Sequence, residues 1–135
     1  MWIYLNMNPI KKRVGDCVVR AIAYATGQTW DDTFNDLCDE AYKRKEMPSW
    51  NPTWWAYLKN KGWARHMVPD ACPDCRYTVK MFCEDYPRGT YILFIPTTGD
   101  GVGHVTVVDH GDVLDSLDCS DEYPIIFWRK EDYYV

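Results

Sequence analysis

Residues 90–96, "TYILFIP", form an unbroken apolar run. A strand with no polar alternation belongs in the middle of a sheet, with both faces covered. Three more strand-type segments follow it. "HVTVVD" (104–109) alternates, "DVLDSLD" (112–118) comes after a His110-Gly111 turn, and "YPIIFW" (123–128) ends the series.

The first half reads differently. Val18, Val19, Ile22, Ala23 and Ala25 follow the pattern of a buried helix from Cys17 to Ala25, which Thr26-Gly27 ends. Thr29 caps a second helix whose first turn holds Asp31 and Asp32, and Lys43, Arg44 and Lys45 suit its C-terminal end. Its apolar face is predicted as Trp30, Phe34, Leu37, Cys38 and Ala41. Asn51-Pro52 predicts a cap followed by proline at the first turn of a third helix, with Trp54, Trp55 and Leu58, stopping at Gly62. Residues 63–68 suit a strand, Thr78 caps a short helix through Cys83, and residues 2–5 suit an edge strand. The fold class expected is α+β: N-terminal helices packed on a C-terminal antiparallel sheet of about four strands, in one domain spanning 1–135.

Composition narrows the function. A net charge of −5 argues against general nucleic-acid affinity, and Lys11-Lys12-Arg13 reads as a solvated loop rather than a phosphate-binding patch. No apolar run approaches the roughly 18 residues of a membrane span. The N-terminus lacks the charge order and hydrophobic region of a signal peptide. The six cysteines are therefore expected as free thiols or metal ligands in a reducing cytoplasm. The sequence carries no indication of oligomeric state.

Cys17 stands at the start of the first helix, where unpaired amides and the helix dipole favour a thiolate. Among the histidines, His104 is best placed to serve as its base, because it opens a buried strand and is held rigidly there. The segment after the His110-Gly111 turn brings an aspartate back toward it. Whether that is Asp115 or Asp118 depends on whether the turn has two or three residues. Without reactivity, Cys17 is ordinary packing and His104 an ordinary strand residue.

Together, "GDCVVRAIAYATGQTWDDTFNDLC", "GTYILFI", "GHVTVVDHGDVLDSLDCSD" and "YPIIFW" resemble small papain-like cysteine peptidase domains of phages and mobile elements of Gram-positive bacteria. These are distantly similar to the double-glycine leader peptidases of bacteriocin exporters. The resemblance covers nearly the whole chain, and its most specific parts are Asp16-Cys17 and Gly103-His104. It implies Cys17 as nucleophile, His104 as base and Asp118 or Asp115 as the third member, acting on a protein or peptide substrate without a cofactor. It also implies a bacterial host cytoplasm. Papain-like enzymes usually carry an oxyanion-hole glutamine shortly before the cysteine, and the corresponding position here is Lys11. Asn8 is the substitute donor if the basic loop doubles back, and otherwise a turn residue before Pro9. That departure leaves a second reading: a catalytically inactive binding or inhibitor protein of the same fold, directed at a host protein.

Cys72-Pro73-Asp74-Cys75 is half of a zinc site, a redox pair, or two loop thiols. A zinc site would need ligands from Cys83, His66, Cys38 or Cys119, and would make the chain a zinc-stabilised adaptor. Trp54 is expected in the core and Trp50 in a substrate cleft. The glycine-rich "TTGDGVG" before His104 is either a gate or a long hairpin connection.

Overall fold

The computed structural model describes residues 1–69, 76–99 and 101–131. In chain order these form β1 (Trp2–Tyr4), α1 (Cys17–Thr26), α2 (Trp30–Arg44), α3 (Asn51–Asn60), β2 (Trp63–Met67), α4 (Val79–Asp85), β3 (Thr90–Ile95), β4 (His104–Asp109), β5 (Asp112–Asp115) and β6 (Ile126–Lys130).

The apolar run at β3 does take a central place in the sheet, between β4 and β6. Its successive side chains enter two different cores. Ile92 and Phe94 join the layer built by α1, α2 and α3, whose largest fully buried side chain is Trp54. Leu93 and Ile95 join the opposite layer, where Val79, Phe82 and Cys83 of α4 pack with Val108, Val113 and Phe127. A continuous apolar strand is stable here because helices cover both of its faces.

The sheet is larger than expected and is mixed. The order is β1-β5-β4-β3-β6-β2, so the four antiparallel C-terminal strands gain β2 at one edge and β1 at the other. β1 runs parallel to β5, pairing Trp2 with Val113 and Tyr4 with Asp115. Length explains why this contact is hard to foresee: three exposed residues carry little pattern of their own, and their pairing joins opposite ends of the chain.

The helix boundaries follow the capping residues closely. Gly27 adopts φ 69° at the end of α1, and the Thr29 hydroxyl accepts the Asp32 N–H at 3.0 Å. Three details differ from expectation. The N-cap of α3 is Trp50, one residue before Asn51. The short helix α4 continues past Cys83 to Asp85, with Tyr77 donating to the Asp85 carboxylate at 2.6 Å. The inward face of α2 uses Thr33 rather than Phe34. Thr33 can be fully buried because its hydroxyl donates to the Thr29 carbonyl at 2.9 Å, while Phe34 stacks on Trp30 nearer the surface, centroids 5.0 Å apart.

Among the described residues Cys17, Cys38, Cys83 and Cys119 are free thiols. Cys72 and Cys75 lie outside the described residues. No helix among the described residues is long and apolar enough to cross a membrane.

Candidate active site

Cys17 is the first residue of α1, half-buried against the helical core. Asp16 holds the N-cap position yet does not cap with its side chain. Its carboxylate turns sideways instead, taking Arg20 Nε at 2.9 Å, Trp30 Nε1 at 3.0 Å and Asn8 Nδ2 at 3.2 Å. The first-turn amides of α1 are therefore not claimed by the Asp16 side chain.

The hairpin register settles which aspartate faces His104. Val107 pairs with Leu114, Val108 with Val113 and Asp109 with Asp112, which leaves a two-residue turn at His110-Gly111. Both turn residues have positive φ, 50° and 81°, as a tight type I′ connection requires. That parity places Asp115 on the same side of the ladder as His104, and a three-residue turn would have favoured Asp118. His104 Nε2 lies 2.6 Å from Asp115 Oδ2. A carboxylate only accepts, so the Nε2 proton points to Asp115 and Nδ1 is left for the Cys17 thiol. Asp118 does not bond His104: it is exposed and accepts the Ser120 hydroxyl and backbone N–H at 2.6 and 3.1 Å.

Electrostatics follow this geometry. Burial pushes the Cys17 thiol up, but the adjoining His104 ring outweighs it, with help from the Val105 backbone N–H and Arg20, and the thiol titrates below its ordinary value. Burial works against a charged His104 too. Bonding to Asp115, and then to Cys119 and Cys17, overrides it and holds the imidazole well above its usual range. Burial likewise raises Asp115, whereas His104 and then Arg20 bring it below the normal carboxylate range. These directions favour an ionised thiol and a charged ring over their isolated counterparts, with a carboxylate behind the ring.

Arg20 and Cys119 are the members that spacing did not reveal. Arg20 Nη1 reaches Asp115 Oδ1 at 3.2 Å and the Ser116 hydroxyl at 2.8 Å, so one guanidinium ties Asp16 before Cys17 to Asp115 behind His104. The signal was present as the single charge within "CVVRAIAYA". Buried Cys119 directs its thiol toward Asp115 Oδ2 at 3.9 Å.

Asn8 is not placed as an oxyanion donor. Its Nδ2 donates to Asp16, its Oδ1 accepts the Ile10 and Lys12 N–H groups at 3.1 and 3.3 Å, and it does not line the cleft at Cys17. Its amide shapes the basic loop instead. Trp50 is also absent from that cleft, standing exposed at the start of α3.

The cleft over Cys17 and His104 encloses about 450 Å³. One wall is the 97–103 loop, through Thr98, Gly99, Val102 and Gly103, and the other carries Leu117, Asp118, Cys119 and Glu122. The loop is tied down: Thr98 N–H donates to Val102 O at 2.8 Å, and Gly99 N–H donates to Glu122 Oε1 at 3.1 Å.

The chain matches no family model, no curated protein and no solved structure. The chemistry therefore has to be read from the site itself.

Among the described residues, the one grouping with metal-ligand composition is His104, Asp115 and Cys119, whose donor atoms lie within 4.8 Å of one another. Their donor set suits a zinc-like ion, but the histidine and carboxylate are already bonded to each other at 2.6 Å. Of the other candidate zinc ligands, His66 pairs with Glu131 on the far side of the sheet, and Cys38 and Cys83 sit on α2 and α4.

Proposed function

We propose that the chain is a papain-like cysteine hydrolase that cleaves a peptide, isopeptide or related amide bond. The observation carrying this reading is the His104 ring, bonded through Nε2 to buried Asp115 and interacting with the half-buried Cys17 thiol.

In this reaction the Cys17 thiolate attacks the carbonyl carbon and its oxygen takes the negative charge. The first-turn amides of α1 are the donors available for that oxyanion, with the helix dipole behind them. His104 gives its Nδ1 proton to the departing amine, the C–N bond breaks, and a thioester remains on Cys17. Water then attacks the thioester while His104 takes its proton. The carboxylic acid leaves and the thiolate–imidazolium pair is restored. Asp115 keeps the ring in the required tautomer, and no cofactor is needed for any step.

The resemblance supplies the setting, a phage or mobile element acting within a bacterial host. One observation favours the second reading, a binding or inhibitor protein without turnover: the Asn8 amide is held by Asp16 and does not serve the oxyanion.

The test is to incubate wild type and Cys17→Ala with a denatured bacterial proteome and map newly exposed α- and ε-amino groups by mass spectrometry. New amino groups that depend on Cys17 are expected. Identical maps from the two proteins would overturn the hydrolase and leave the binding protein.

A further inference from the structure

Beside the cleft lies a second groove of about 160 Å³. The two share Val14, Arg20 and Leu117, so the second groove adjoins the cleft that holds Cys17. Their linings differ in charge. The second groove is lined by Lys11, Lys12 and Arg13, whereas the main cleft carries Asp118 and Glu122. Asp16 also faces the basic groove, but Arg20 pairs with it at 2.9 Å. Lys11 is partly committed, its Nζ donating to Asn6 O at 2.7 Å. Neither Lys12 nor Arg13 has an ion-pair partner among the described residues, and both are exposed. The Asn8 side chain fixes this loop by accepting the Lys12 N–H at 3.3 Å, and Lys11 adopts φ 56°. Val14 and Leu117, common to both linings, are apolar and exposed.

We propose that these adjoining grooves select an acidic polypeptide: one or more Asp or Glu side chains lie on Lys12 and Arg13, with an apolar side chain on Val14 and Leu117 next to the reacting bond. The proposal deepens the hydrolase reading and rests on Cys17 being the group the bound chain passes. Three cations gathered on one loop of a chain of net charge −5 concentrate positive potential where a substrate must lie. The carboxylates of the main cleft disfavour the same acidic segment there, so the charge difference favours placing it in the second groove.

Turnover is not needed for the test. Alkylation of Cys17 by iodoacetamide is followed by peptide mapping at low salt. The competitors are an acetylated, amidated peptide of alternating Glu and Leu, and its Lys-Leu counterpart. In wild type the Glu-Leu peptide is expected to slow alkylation several-fold and the Lys-Leu peptide to leave it nearly unchanged. In Lys12→Glu/Arg13→Glu, whose substitutions are on exposed side chains, this preference is expected to vanish or reverse. High salt should weaken it in wild type. Equal protection by the two peptides, no protection by either, or a preference unmoved by the double substitution would overturn the proposal. A proteome showing no cleavage while the acidic peptide still protects Cys17 would instead sink the hydrolase and leave an acidic-polypeptide site.

Discussion

Arg20 and Asp115 are joined by a 3.2 Å ion pair that ties the helix carrying Cys17 to the strand carrying the partner of His104. The same guanidinium holds Asp16, and all three groups are largely buried. One side chain therefore sets the distance between the two halves of the site.

Removing it is expected to be costly. Arg20→Met leaves buried Asp16 without its cation and takes from Asp115 one of its two, His104 remaining, and breaking such a buried pair typically costs about 3–5 kcal/mol. The loss should be largest at neutral pH and smaller near pH 4, where protonation relieves those carboxylates. Urea unfolding of wild type and variant at the two pH values measures both effects. A loss independent of pH would mean that packing, not charge, is what Arg20 contributes.

Asp115 and Asp118 are separated by a pH experiment. Asp115 holds His104 above its usual range, so Asp115→Asn should lower the imidazole toward its ordinary value and weaken the cation beside Cys17. The midpoint of Cys17 alkylation against pH should then move upward. Asp118→Asn should leave it in place, since that carboxylate bonds only Ser120. The signs for stability follow. The raised His104 contributes stability that is fully present below its unfolded value of about 6.5 and fades as pH rises through the folded one. The lowered Asp115 contributes above about 3.9, and that share fades as pH falls through its folded value.

Much of this was legible because local chemistry agrees with the tertiary result. Thr29, Gly27 and the apolar "TYILFI" run each act within a few residues, and the structure keeps their elements. Cys17 and His104 also stood out, one at a helix start and one at a strand start. The third member was legible only to parity, because two aspartates three residues apart differ by a single residue of turn length. Arg20 escaped because Asp115 lies 95 residues away, and Cys119 stood out only as a zinc ligand. Asn8 misled because its amide was expected at Cys17, whereas the chain folds it back onto Asp16.

The core offers an independent check on the fold. Trp54 is fully enclosed and borders Trp55, Phe94 and Trp128 at centroid distances of 5.8–6.4 Å. Trp54→Ala should cost about 3–5 kcal/mol in chemical unfolding, the range for deleting a buried aromatic. A change below about 1 kcal/mol would contradict the packing of α3 on the sheet.

The turn at His110-Gly111 offers another check. Gly111 has φ 81°, and a Cβ there would lie 3.5 Å from Cys83 O, a distance that does not clash. Gly111→Ala should therefore cost only the left-handed backbone penalty, about 1–2 kcal/mol, with little effect on Cys17 reactivity. A much larger loss in unfolding experiments would show that the turn does not have this conformation.

The central claim is that Cys17 is a thiolate because His104 is beside it. The direct measurement is the rate of Cys17 alkylation by iodoacetamide across pH 5–9 in wild type and His104→Ala. An ordinary thiol, with a pKa of about 8.5, is only about 1% ionised at pH 6.5. Lowering the Cys17 pKa raises the thiolate share at that pH, and weaker intrinsic nucleophilicity offsets only part of the gain. Wild type should therefore react several-fold faster than His104→Ala near pH 6.5, and the two should converge toward pH 9. Superimposable profiles with an ordinary thiol midpoint would contradict the account.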